Sequence, residues 1–186
     1  MLERALLDAA LEQLSTVGWK GLTMEGVAAG AQTGKAAVYR RWPSKEDLVA
    51  DALVSGLPRV ERAPDPGGVR EDLLALCRQV RQIMYSRPGV ALRSVIHECD
   101  HMQVERFEGV IFGSVVEPTV KLLREAIKRG IGRGEVRSDA ANGYVFDVIP
   151  AMMMYRAKMC ASEWSDQGLV GTVDRLMLPL LRPYGT

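Results

Sequence analysis

This chain predicts an all-α fold in two parts. Three observations carry that reading. Nearly every stretch places apolar residues at helical period, and none alternates convincingly at period two. Clusters of Pro and Gly cut the helical pattern into about nine or ten segments. The deepest cut is Pro58 followed by Ala63-Pro-Asp-Pro-Gly-Gly68, which separates residues 1–57 from residues 58–186.

In the first part, Leu2, Leu6, Ala10, Leu14 and Val17 mark one face of a first helix, which Gly18 can end. Thr23 is placed to cap a second helix, Met24 to Gly30, with Glu25 favourable in its first turn. Gly26 inside that helix costs about 1 kcal/mol relative to Ala. Thr33 or Gly34 opens a third helix that must end before Pro43. Ser44 caps a fourth, Lys45 to Leu57, with Asp47 in the acidic position of a capping box.

In the second part, Leu73, Leu76, Cys77, Val80, Ile83 and Met84 trace a clean apolar stripe. Arg87-Pro88-Gly89 reads as a break, followed by helices over about Val90–Met102 and Val104–Val116. Pro118 suits the first turn of the next helix, which runs to about Lys128. Gly130, Gly132 and Gly134 mark a loop. Ser138 can cap a long helix to about Ala161, with Pro150 as its expected kink. Leu169, Val173, Leu176, Met177 and Leu180 stripe the last helix.

Composition narrows the function. Of the 186 residues 47% are hydrophobic and 25% charged, which suits a soluble globular chain. A formal net charge of +1 excludes a polyelectrolyte binder, so any nucleic-acid contact must come from a local patch. Cys77, Cys99 and Cys160 are odd in number and sit in apolar helical patterns, which suits reduced thiols in a cytoplasmic protein. Met1 leads directly into an amphipathic helix with no signal peptide in view. The richest apolar run, Tyr144 to Tyr155, is too short to span a bilayer.

The local patch is present. Between Gln32 and Lys45 lie four basic residues, Lys35, Arg40, Arg41 and Lys45, and no acidic one. A short cationic helix after a tight turn can enter a major groove, its first residues at base edges and its flanks on phosphates. Lys35, Ala36 and Ala37 open that helix, and small side chains there permit close approach. Lys35 can reach a guanine edge or a phosphate. Tyr39 lies one turn on, with a hydroxyl suited to phosphate. Thr23, Thr33, Gly34 and Lys45 stand at helix starts, where backbone N–H groups favour anions. Arg40 adds charge, and Trp42 reads as core.

These residues resemble the tetracycline-repressor (TetR) family of bacterial regulators. The resemblance rests on Leu7-Asp-Ala-Ala-Leu11, on Gly18-Trp-Lys-Gly-Leu-Thr-Met24, and on Ala31 to Lys45 ending in VYRRWPSK. It implies an N-terminal three-helix helix-turn-helix domain within residues 1–57, including a connecting fourth helix. It further implies a helical ligand-binding and dimerisation domain over residues 58–186. Operator DNA, a small-molecule effector and a second copy of the chain are the implied partners, and no cofactor is implied. Dimerisation through the last two long helices is part of the same expectation. So is a cytoplasmic location, on the nucleoid when bound to operator. Met84, His97, Phe107, Ile111, Tyr144, Met152 and Tyr155 are expected to line the pocket, because methionine and aromatic residues adapt to apolar ligands. Two departures stand out: Gln32 occupies the usual turn glycine, and only Arg4 remains of a basic arm before the first helix.

One other motif competes. His97-Glu98-Cys99-Asp100-His101 satisfies H-E-x-x-H, which on a helix places two His on one face with a glutamate base. The chain has no third His, so a small metal-binding protein or enzyme is the alternative reading and a catalytic zinc site is not expected. Gly34-Lys35 lacks the other residues of a phosphate-binding loop, and no Ser is paired with His and acid. An enzyme is therefore not expected. A helical interaction module without DNA binding is the third reading.

Overall fold

The computed structural model describes residues 1–59, 65–99, 107–156 and 164–183. Those residues contain helices and no strand, and they divide into two compact units. One comprises residues 1–58 and 83–114, the other residues 59–82 and 115–186.

In the first unit, α1 (Leu2–Gly21) packs on α2 (Met24–Gly30), α4 (Lys45–Gly56) and α6 (Arg87–Glu98). The short α3 (Lys35–Tyr39) packs on α2. Leu6, Leu7, Ala10, Leu11 and Leu14 form the buried stripe of α1, whereas Leu2 and Val17 are exposed. Steps of four residues overshoot a 3.6-residue turn, so a Leu2-to-Leu14 line drifts off the core face. Gly18 breaks the helix as expected, at φ 76° and ψ 179°, and a last turn continues to Gly21. Phe107 is fully buried and meets Trp19 edge to face, with centroids 5.3 Å apart and an interplanar angle of 81°.

The capping chemistry follows the sequence. Thr23 Oγ1 accepts from the Gly26 N–H at 3.1 Å, and Ser44 Oγ accepts from the Asp47 N–H at 3.1 Å. Gly26 also has a packing reason: an added Cβ would strike the Gln13 side chain, whose oxygen accepts the Thr23 N–H at 3.2 Å. The expected break at Arg87-Pro88-Gly89 is instead the first turn of α6. Ser86 caps it, and proline lacks an N–H that the first turn would leave unused.

In the second unit, α5 (Val69–Tyr85) brings Leu73, Leu76 and Cys77 into the core, and its last residues, from Ile83, belong to the first unit. Burial raises the Cys77 thiol to about 12, so it packs as an inert apolar group. Asp72 is also fully buried and takes Arg129 at 3.2 Å and Arg133 at 3.0 Å. α7 (Glu117–Gly132) runs past the expected end at Lys128. Gly130 lies inside it because Val136 packs there, 2.7 Å from where a Cβ would stand.

α8 (Gly143–Tyr155) starts four residues later than expected. Asn142 caps it through the Val145 N–H, while Ser138 only opens a 3-10 turn, Ser138–Ala140. Pro150 lies within α8. The last segment is α9 (Asp166–Thr172), a π turn (Val173–Met177) and α10 (Leu178–Leu181). Another π turn, Phe112–Val116, precedes α7. Each π turn stands two residues before a proline, Pro118 or Pro179. A helical proline removes one i→i−4 bond and crowds the carbonyl four residues back, and widening the preceding turn relieves both. The expected helix ends at Met102 and Ala161, the expected start at Val104, and Cys160 lie outside the described residues.

Candidate nucleic-acid interface

The candidate element is α2, a four-residue turn and α3. The turn closes with Gln32 N–H to the Ala29 carbonyl at 3.0 Å and Thr33 N–H to the Ala28 carbonyl at 2.9 Å. Gln32 supplies the left-handed step at φ 54°, the only positive φ outside glycine among the described residues. The side chain carried at the usual glycine position therefore stands in a strained conformation. Gly34 is the N-cap of α3, and nothing lies within 4 Å of a Cβ added there.

The α3 surface divides cleanly. Gly34, Lys35, Ala36, Tyr39, Arg40 and Arg41 are exposed, while Ala37 and Val38 are buried against the core with Trp42. The Ala37 side chain therefore packs the helix and is not available to a groove. Thr23 is exposed, and Thr33 is half-buried. Trp42 donates its indole N–H to Asp51 at 2.8 Å, which ties the end of α3 to α4.

Three of the four cations have partners within the protein: Arg41 donates to the Ala37 carbonyl of α3 at 3.1 Å, and Lys45 and Lys35 reach further. Lys45 turns inward. Its ammonium donates to the Trp19 carbonyl at 2.7 Å and the Leu22 carbonyl at 3.4 Å, and lies 4.0 Å from the Trp19 ring centroid. Loss of hydration lowers its pKa. Lys35 pairs with Glu25, the only acidic residue between Thr23 and Lys45, and lies 5.3 Å from the Tyr39 ring. The shared hydrogen bond raises the pKa of Lys35 and lowers that of Glu25. Sequence reasoning assigned Glu25 only to the helix dipole. Its isolation among cations was the available signal.

The link from α1 to α2 is held by a third group. Glu98, at the end of α6, accepts the Lys20 N–H at 3.0 Å and the Ser94 hydroxyl at 2.9 Å, and that hydroxyl accepts the Trp19 N–H at 2.8 Å. The Lys20 N–H is the main cause of its lowered pKa, with Ser94 contributing. The glutamate of the H-E-x-x-H motif is thus committed to the α1–α2 link. Asp100 and His101 lie outside the described residues, among which no group of three or more His, Cys, Asp or Glu could hold a metal ion.

Of the expected pocket residues, Met84, His97, Phe107 and Ile111 fall in the first unit, and Tyr144, Met152 and Tyr155 in the second. Met84, Phe107 and Ile111 are buried and His97 is exposed. Tyr144 and Tyr155 are exposed and Met152 is half-buried. The second unit carries an open groove of about 530 Å³ along α9, bordered by Ser165, Gly168, Gly171, Asp174 and Arg175 and including none of the expected seven.

Comparison with known proteins decides the identity of this arrangement. Residues 6–52 match the family described as bacterial regulatory proteins, tetR family. Residues 63–176 match the tetracyclin repressor-like C-terminal domain. The chain belongs to the TetR family of transcriptional regulators. An HTH-type transcriptional regulator of Mycobacterium tuberculosis is 31% identical over 96% of this chain and 87% of its own length. A DNA-binding transcriptional repressor of Mycobacteroides abscessus is 30% identical over 96% of this chain and 93% of its own. Among solved structures, AibR in complex with isovaleryl coenzyme A and operator DNA has the same fold. Its TM-score is 0.62 at 18% identity, covering 96% of this chain and 99% of that one.

Proposed function

We propose that this protein is a homodimeric repressor that holds a two-fold operator through α3 and releases it when a small, mostly apolar molecule binds. Residues 1–57 form the DNA-binding part, and residues 58–186 sense and dimerise. Lys35 and Tyr39 are the principal readers. Arg40, Thr23, Thr33, Gly34 and Ala36 complete the face, and Lys45 contributes through the start of α4. The observation that carries the reading is the exposed cationic face of α3, set on a tight turn and backed by buried Ala37, Val38 and Trp42. The relative named as a repressor supports the sign of regulation. The neighbour crystallised with both a thioester and operator DNA supports a small effector.

Leu176 and Leu180, each 41% exposed, and the exposed Tyr144 lie on the segments expected to dimerise. The natural lever is α4, whose first residue, Lys45, is clamped to the end of α1. Tilting it changes the spacing of two recognition helices, which must match about 34–36 Å, one turn of B-DNA. An effector acts only through its different affinity for the two arrangements. No helix among the described residues is long and apolar enough to cross a membrane, and a cytoplasmic location follows from this reading.

Selection of duplexes from a randomised pool tests the proposal. Lys35→Ala is expected to weaken binding to the selected duplex by roughly 1–3 kcal/mol if the ammonium reads a base. Unchanged affinity for both Lys35→Ala and Tyr39→Phe refutes the assignment. A monomer mass by light scattering refutes the dimer.

A further inference from the structure

The Lys35–Glu25 pair is the feature the DNA-binding reading does not by itself explain. A carboxylate on a DNA-facing surface repels every phosphate, yet here it stands beside the residue best placed to read a base. Both side chains are 56% exposed, so a duplex can reach either of them. We propose that Glu25 determines specificity by restraining Lys35, so that its ammonium engages a guanine edge but not the phosphates of an arbitrary duplex. The inference rests on the DNA-binding reading and adds a residue to it.

The chemistry distinguishes the two targets. A lysine ammonium has three donors, so it can keep Glu25 on one and offer the others to a second acceptor. Guanine presents O6 and N7, both neutral acceptors, on the floor of the major groove. Adding them to the pair brings no like charge near the carboxylate. A phosphate brings its own negative charge beside Glu25, and exchanging one anion for another gains the ammonium little. Non-specific binding comes almost wholly from cations that displace counterions from phosphates. A lysine already neutralised within the protein contributes little to it.

The rest of the segment fits this division. Lys45 is turned onto the carbonyls of Trp19 and Leu22, which leaves Arg40 and Arg41 to meet phosphates. Arg41 keeps its orientation through a bond from its guanidinium to the Ala37 carbonyl at 3.1 Å. The cationic face is therefore less adhesive than its residue count implies, and Lys35 is held within reach of the helix start.

The test compares Glu25→Gln with the wild-type chain on a random-sequence duplex and on duplexes the wild-type chain selects. Glu25→Gln is expected to tighten random-duplex binding roughly 2- to 10-fold at low salt. Its dependence of log affinity on log salt should steepen by about one. Selected-duplex affinity should change less, so the ratio between the two falls. Lys35→Gln supplies a second reading that does not depend on that variant folding. In the wild-type background it should weaken the selected duplex more than the random one, because only the selected duplex loses a base contact while both meet the freed Glu25 carboxylate. In the Glu25→Gln background it should return random-duplex affinity and slope to about the wild-type values. An unchanged random-duplex affinity and slope in a folded Glu25→Gln variant overturns the inference. So does a Lys35→Gln variant that weakens the random and the selected duplexes equally. If the wild-type chain enriches no sequence yet the random-duplex shifts appear, the operator reading fails while the restraint by Glu25 stands.

Discussion

Gly18→Ala is the most informative single change in this chain. At φ 76° and ψ 179°, Gly18 occupies a region that side-chain-bearing residues almost never adopt, which costs about 1–3 kcal/mol in the backbone alone. The new methyl would also stand 2.9 Å from one Glu98 carboxylate oxygen and closer still to the other. That carboxylate is the end of a flexible side chain and can swing away, but doing so surrenders the Lys20 N–H and the Ser94 hydroxyl. Because the group is largely solvated, that loss is discounted to about 1 kcal/mol. The expected total is about 2–4 kcal/mol. For a chain of this size it corresponds to a fall in melting temperature of about 5–15 °C. Denaturation followed by fluorescence measures it, since Trp19 and Trp42 both lie in the affected unit. A double-mutant cycle separates the two contributions. With Glu98→Ala already present the methyl meets no carboxylate, so Gly18→Ala should cost less there by about 1 kcal/mol. Strict additivity refutes the clash, and a fall below about 2 °C for the single variant refutes the backbone argument.

Three further outcomes are expected. Gln32→Gly removes a left-handed strain worth about 1–2 kcal/mol and restores part of it as chain entropy, so denaturation should show a gain of about 0.5–1 kcal/mol. Asp72→Asn takes the buried charge from between Arg129 and Arg133. These guanidiniums keep water and other carboxylates, so the loss in a denaturant titration should be about 1–3 kcal/mol, short of that for a stranded buried ion. Acid stability follows the sign of the Glu98 shift. Its folded pKa is depressed, so its contribution is complete above the ordinary carboxylate value of 4.5 and disappears as pH falls through the folded value. Glu25, Glu135 and Asp174 shift the same way. Only the difference between wild type and Glu98→Gln therefore isolates this residue, and a difference that is constant from neutral pH to well below 4.5 contradicts the assignment.

The caps of the reading element were legible because an N-cap bond spans three residues. Thr23 and Ser44 cap where the sequence placed them, and of the two candidates Thr33 and Gly34 it is Gly34 that opens α3, without a side-chain bond. Proline was harder to read, because it both breaks helices and begins them. Ser86 decides the matter for Pro88 by capping from just upstream. At the start of α8, Asn142 outcompetes Ser138, two polar residues that local pattern alone does not rank. In the last segment Leu169, Val173, Met177 and Leu181 are buried and Leu176 and Leu180 are exposed, so one apolar stripe in the sequence serves two faces. The candidate site was legible in its exposed cations but not in their partners. Lys45 meets residues 26 and 23 positions away, and Lys20 meets one 78 positions away. No helical or turn period connects such pairs. They exist only once α1, α4 and α6 have packed.

Those invisible contacts share one destination, and it bears on how the protein works. Residues 18–23 form the joint from the kink of α1 to the start of α2. Gln13 of α1 holds the Thr23 N–H, Lys45 of α4 holds the Trp19 and Leu22 carbonyls, and Ser94 and Glu98 of α6 hold the Trp19 and Lys20 N–H groups. The joint contains Gly18, whose conformation admits no side chain without strain, so it cannot relax by small adjustments of a regular helix. A shift of α6 along its axis must either carry this joint with it or break charge-assisted bonds to backbone. Because α2 begins at Thr23 and α3 is packed on α2, the first outcome moves the reading face and the second loosens it. Either disturbs the α2–α3 element, which on the proposed reading is the one that presents Lys35 and Tyr39.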